Sequence, residues 1–179
     1  MAPETTRTLR GAAAGAFAAG VWAAQQPLDR RAFRVDYDDA DLLGRLVARG
    51  RWVLPAGTAL HVSNGALFGA LYANVAPRLP LPSWARGPCA GLAEHLLTWP
   101  ATAVLVRLPG ARGAPPFWSS RRAFAQATWR HVLFGAILGE VERRLNPPPP
   151  EDVVPARATF SSNGHGSVEH LAATGPSVT

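Results

Sequence analysis

The chain has 179 residues, of which 47% are hydrophobic and only 17% are charged. Its length is typical of one domain, and its charge content lies below the roughly 25% of average soluble domains. The composition excludes a disordered chain, and the single cysteine, Cys89, excludes an internal disulfide and a Cys-x-x-Cys metal site. The net charge of +6 comes from arginine alone. These arginines lie mainly at the edges of apolar runs, as in membrane proteins, so we expect no nucleic-acid partner.

Four apolar runs predict an all-α, four-helix transmembrane bundle at residues 11–146, in the cell inner membrane. Runs with little or no charge approach the about 20 residues that cross a bilayer. After a polar lead at 1–10, the predicted spans are residues 11–28, 54–77, 87–107 and 123–145. The Ser/Thr/Gly/Pro-rich tail at 147–179 is predicted to be disordered. A cleaved signal within residues 1–24 is the alternative for the first run, and a soluble helical protein is the alternative for the whole chain.

A short amphipathic helix is predicted at residues 39–49, between the first two spans. Asp38 or Asp39 suits its N-cap, and Gly50 suits its end. Its apolar side chains share one face, and they are Leu42, Leu43, Leu46 and Val47. Pro27 is expected to end the first span and Pro100 to bend the third. Tryptophans near the ends of the runs suggest membrane-surface positions, and they are Trp22, Trp52, Trp84 and Trp118.

Each apolar run contains two glycines spaced by four residues. They are Gly11 and Gly15, Gly65 and Gly69, Gly87 and Gly91, and Gly135 and Gly139. In lipid, small residues at this spacing let helix backbones approach and gain van der Waals contact. The pattern predicts close helix packing, and the same faces suit a homo-oligomer.

The second and fourth runs resemble each other. Residues 61–69 match residues 131–139 at five of nine positions. The chain is therefore interpreted as two similar helical hairpins that run the same way through the bilayer, with chance similarity of Ala/Gly/Leu-rich segments as the alternative. The alignment puts His61 and His131 at equal depth and places Arg130 near the membrane surface, where its side chain can snorkel.

Polar residues inside the spans are the candidate site. Ionisable groups there are costly and usually face the bundle interior; they are His61, His95, His131, Glu94 and Glu140, with Asn64 nearby. Helical rise spreads the three histidines over about 10 Å along the membrane normal, too far apart for one three-histidine metal site. A proton path, a metal or haem site between two histidines, and a polar network that fixes packing remain alternatives. We expect no enzyme, no cofactor and no metal, and the lipid bilayer as the main partner.

The order of these features resembles the YagU family of small bacterial inner-membrane proteins. The resemblance covers roughly residues 11–145. It consists of the first glycine pair running into Pro27-Leu28, His61 opening a helix that ends at 75–77, His95 five residues before Pro100, and His131 followed by Glu140 to Arg144. The resemblance implies an inner-membrane protein with a link to acid survival and no fixed catalytic residues.

Overall fold

The computed structural model describes residues 4–109 and 119–147. These residues form five helices and no strand, so the predicted all-α class is confirmed. The helices are α1 (Thr5–Phe33), α2 (Asp39–Val47), α3 (Val53–Val75), α4 (Ser83–Leu105) and α5 (Arg121–Leu145). Short 3-10 turns at Gly50–Trp52 and Ala76–Arg78 flank α3. Apart from Pro147, the predicted disordered tail lies outside the described residues, as does Trp118.

Prolines interrupt the helices less than the sequence predicted. Helix α1 continues through Pro27 to Phe33, where Arg34 in a left-handed conformation follows it. The expected end at Pro27 was therefore wrong. Gln26 and Asp29 are buried, and α1 packs on α5, so tertiary contacts hold the helix beyond the proline and offset its lost backbone donor.

The amphipathic helix α2 begins as predicted but ends at Val47. Its N-cap Asp38 accepts a hydrogen bond from the backbone nitrogen of Asp41 at 3.0 Å. Gly50, with φ of +57°, opens the following 3-10 turn instead of ending the helix. Helix α2 packs on α3. A Cβ at Gly44 would overlap the backbone oxygen of Val53, so this close approach requires glycine.

The eight paired glycines lie at two helix crossings. Gly11 and Gly15 of α1 face Gly69 and Gly65 of α3, and an added Cβ would overlap the opposite backbone. Gly87 and Gly91 of α4 meet α5 in the same way. The α1–α3 and α4–α5 pairs are joined by packing of α1 on α5, whereas α3 and α4 make few contacts at most along their described lengths. A weakly packed seam, the α3–α4 seam, therefore lies between them.

The interior combines small residues, polar groups and several aromatic side chains, whereas many leucines point outward. The buried cluster around Ala14, Ala18 and Trp22 includes Phe134 and Leu138. Trp22 is only 4% exposed, so its predicted position at the membrane surface was wrong. Leucines cover the outside, with Leu67 at 70% and Leu97 at 81% exposure. Within the described residues, no helix combines the length and mean hydropathy of a membrane span.

Candidate functional site

The three intramembrane histidines of the prediction lie around one cavity. The ring centroids of His95 and His131 are 4.7 Å apart. The ring of Trp22 lies between those of His61 and His131. Its centroid is 4.8 Å from that of His61 and 4.7 Å from that of His131. The predicted spread was therefore wrong for His95 and His131, whose rings are in contact. Helix α4 begins at Ser83, four residues before the expected start, and this moves its centre close to His95.

His131 and Glu94 form the central polar pair of the site. The Nε2 atom of His131 is 2.9 Å from Oε2 of Glu94, and Nδ1 of the same ring is 2.7 Å from the backbone oxygen of Ala127. Both ring nitrogens thus face oxygen acceptors. A neutral imidazole carries only one N–H, so this geometry requires a second proton, shared between Nε2 and the carboxylate. His131 is 12% exposed and Glu94 is 32% exposed at the side chain.

His95 and His61 occupy drier positions beside this pair. His95 is 1% exposed, and its Nε2 is 3.0 Å from the hydroxyl of Thr128. The ring of His95 also contacts Trp99 at 5.4 Å between centroids. The Nε2 of His61 and the Nε1 of Trp22 are buried without a hydrogen-bond partner among the described residues. Unpaired buried polar atoms destabilise a fold, so these two positions are not explained by packing alone.

The cavity beside these residues has a volume of about 250 Å³. Its aromatic walls are Trp22, Tyr37, Phe68, Trp99 and Phe134. Its polar walls include the three histidines, Glu94 and Thr98, and Asn64 of the candidate set lies at its edge. Asn64 of α3 and Thr98 of α4 are both exposed. The cavity therefore reaches the surface at the α3–α4 seam.

Glu140 does not belong to this site, contrary to the prediction. Its carboxylate is 41% exposed and accepts hydrogen bonds from Arg143 at 2.7 Å and from Arg144 at 2.6 Å. The neighbouring Glu142 is the buried acid of this segment and lies 3.6 Å from Arg7. On a helix, two positions change the direction of a side chain by about half a turn, and no local pattern favours burial of one glutamate over the other.

A buried ion cluster adjoins the cavity and shares Tyr37 and Asp39 with it. Arg130 is 0% exposed and donates two hydrogen bonds to Asp29, at 2.6 and 2.7 Å, and one to Asp39 at 3.2 Å. Gln126 donates to the same Asp29 at 2.8 Å. The prediction that Arg130 snorkels to the surface was wrong. Its bidentate pairing with a carboxylate 101 residues away satisfies the charge internally.

The sequence contains a signal for this cluster. Arg130 is the only charged residue in its apolar run between Ala123 and Gly139, and Asp29 is the first charged residue after the first run. Ionisable groups inside apolar segments usually pair with one another. Tyr37 extends the cluster, since its backbone oxygen accepts from Arg130 at 2.9 Å. Burial raises the pKa of the Tyr37 phenol well above its usual value, and Asp39 adds to this shift.

The described residues contain no group of three or more His, Cys, Asp or Glu side chains arranged to hold a metal ion. Comparisons with protein-family models, with curated proteins and with solved structures found no match to this chain.

Proposed function

We propose that this chain is a small multi-pass protein of the cell inner membrane whose His–Glu cluster exchanges protons with one side of the bilayer. The role that this chemistry serves is acid or envelope stress tolerance, in agreement with the resemblance to the YagU family. No catalytic step is part of the proposal. The cluster consists of His61, His95, His131 and Glu94.

The distribution of side chains around the helices supports a lipid environment. Outward-facing leucines cover α3 and α4, whereas many buried positions hold glycine, alanine or polar side chains. Helix α3 has no charged residue in its 23 residues, and arginines flank it at Arg51 and Arg78. Such a helix is about 34 Å long, close to the roughly 30 Å of a hydrocarbon core.

The observation that carries the proton-exchange proposal is the environment of His131. Its two ring nitrogens face the Ala127 carbonyl and the Glu94 carboxylate. Only a shared proton makes both contacts favourable. The polar cavity beside Glu94 has room for water that takes up or supplies this proton. Histidine is the side chain whose protonation changes near physiological pH, so this pair is suited to respond to acid.

Protons reach the cluster from one side of the bundle only. Beyond the cluster, Phe134 and Leu138 fill the interior, and Leu138 is 0% exposed. Glu140, which the predicted path needed at the other end, lies on the surface with its arginines. We therefore propose a proton-binding cluster and not an open proton channel.

Trp22 provides an internal reporter for the test. It contacts both His61 and His131, and a protonated imidazole quenches indole fluorescence more strongly than a neutral one. In reconstituted vesicles we expect the emission of the wild type to fall as the pH is lowered from about 9 to about 5. Trp22→Phe should remove most of this change, and His131→Gln should abolish it. An unchanged titration curve in His131→Gln would overturn proton exchange at this pair.

Two further measurements test whether the protein is in the membrane and whether protons cross it. The protein should stay in the membrane fraction after carbonate extraction, and a monodisperse protein purified without detergent would contradict the location. Proton flux into vesicles should be the same for the wild type, His61→Ala and His131→Ala, because the path is closed. A flux that these substitutions reduce would show conduction and contradict one-sided exchange.

A structural or partner-binding membrane protein is the second candidate. The glycine crossings and the buried Asp29–Arg130 pair favour it, because both serve packing without chemistry. This candidate predicts that histidine substitutions change folding or assembly and leave the fluorescence titration of the folded protein unaltered.

A further inference from the structure

We propose that the cavity of about 250 Å³ binds a small lipophilic organic cation, such as an aromatic quaternary ammonium compound, in exchange for the proton of the His131–Glu94 pair. This inference rests on the proposed proton exchange and names the substrate class of the same site. It goes beyond proton binding because it assigns the cavity an occupant.

The size and walls of the cavity define the first requirement on the ligand. A cavity of about 150 Å³ accommodates benzene, so the larger volume here suits one aromatic ring with a bulky substituent. Five aromatic side chains line it, and they are Trp22, Tyr37, Phe68, Trp99 and Phe134. Aromatic faces attract organic cations, most strongly where water is excluded.

The charges around the cavity define the second requirement. Two carboxylates, those of Asp39 and Glu94, line the cavity. Beside it, the guanidinium of Arg130 pairs with Asp29 and contacts Asp39. With ionised carboxylates, the group is negative unless at least two histidines are protonated. A negative, partly dry cavity attracts a cation.

Glu94 is the group that contacts both the proton and the ligand. The titratable groups that line the cavity with it are His95 on its own helix, His131 on α5, His61 on α3, Asp39 on α2 and Tyr37 just before α2. Arg130 contacts this set through Asp39. Helix α1 contributes Ala19 and Trp22 to the cavity, and both are uncharged. When a cation binds beside the carboxylate, the shared proton leaves His131 Nε2 for water, so one positive charge enters and one leaves.

The α3–α4 seam provides a route for such a ligand. Asn64 and Thr98 are exposed on either side of it, and leucines cover the adjacent outer faces of both helices. A lipophilic cation dissolved in the bilayer therefore reaches the cavity sideways, without crossing the glycine contacts that close each hairpin.

The test measures binding of benzyltrimethylammonium to the full chain in nanodiscs by equilibrium dialysis against empty nanodiscs. Its matched neutral isostere is neopentylbenzene, in which carbon replaces the nitrogen. At about pH 9 we expect the cation to bind at least about tenfold more tightly than the isostere. At about pH 6 the affinity for the cation should fall at least about tenfold, while that for the isostere stays constant.

Two variants and one control connect binding to Glu94. Glu94→Gln keeps the shape, and it should lose the preference for the cation and its pH dependence. Thr98→Lys places a positive charge at the exposed edge and should also abolish cation binding, with an intact helical spectrum. Glu140→Gln, a surface glutamate outside the cavity, should bind as the wild type does.

The outcomes separate this inference from the proposed function. Equal binding of cation and isostere, or wild-type cation binding by Glu94→Gln, overturns the ligand class. If the emission of Trp22 still changes with pH in that case, the proposed proton exchange is retained and the binding of an organic cation is rejected. If the cation binds with no pH dependence, the exchange mechanism is overturned.

Discussion

Two neighbouring residues of α5, Arg130 and His131, serve two differently built polar regions. Arg130 points into the buried ion cluster, where Asp29, Asp39 and the Tyr37 carbonyl satisfy its guanidinium. His131 points into the cavity, where its Nε2 shares a proton with the partly exposed carboxylate of Glu94. In the first region the charge of Arg130 is paired, and Oε1 of Gln126 is buried without a partner among the described residues. The second region contains the His131–Glu94 pair, the unpartnered Nε2 of His61 and Nε1 of Trp22, and a cavity. Adjacent positions of a single helix thus contribute to the two regions.

The largest expected effect comes from breaking the ion cluster. Arg130→Leu leaves Asp29 buried without its charge partner, and removing one member of a buried pair costs about 3–5 kcal/mol. The free energy of unfolding in detergent measures this loss. Arg122→Leu, at an exposed position on the same helix, is the control and should change little. A similar loss in both variants would show that the ion cluster is not a special source of stability.

The next effect concerns the glycine crossings that hold both regions in place. A Cβ at Gly15 would overlap the backbone oxygen of Gly65, whereas nothing lies within 4 Å of a Cβ at Gly20. Gly15→Ala should therefore destabilise the bundle by about 1–3 kcal/mol. Gly20→Ala is the matched control, and it should be neutral or stabilise by up to about 1 kcal/mol, since alanine favours the helix. The comparison uses thermal unfolding followed by circular dichroism, and equal shifts would contradict close backbone contact.

A smaller effect on stability is expected at the cavity. Glu94→Gln removes the charge beside His131, but the pair is partly exposed, so the loss is at most about 1 kcal/mol. The pH dependence of the Trp22 fluorescence should nevertheless disappear. A large loss of stability with an unchanged titration would reverse the assignment of the two regions, and would favour the purely structural role.

The smallest effect is expected at Glu140. Its carboxylate lies on the surface between Arg143 and Arg144. Glu140→Gln should leave the unfolding temperature and the fluorescence titration unaltered. A changed titration would mean that the proton reaches this end of α5, and would restore the longer path that the sequence suggested.

Local patterns were sufficient for the helices and their contact faces. Runs of apolar residues gave the number of helices, because their lengths and periodicity depend on neighbours in sequence. Glycine spacing located the faces of the two hairpins, since residues four apart share one side of a helix. Pro27 and the ends of α4 were misjudged, because helix ends depend on contacts that the local sequence does not contain.

The sequence by itself determined an all-α chain with four long helices, paired glycines and a few polar groups that must turn inward. Only the tertiary structure decided which of those groups meet. Arg130 finds Asp29 across 101 residues, Trp22 enters the interior between His61 and His131, and Glu142 rather than Glu140 is buried. The physical reason is that rotation and axial offset of packed helices select partners, and a shift of one or two residues points a side chain to a different neighbour.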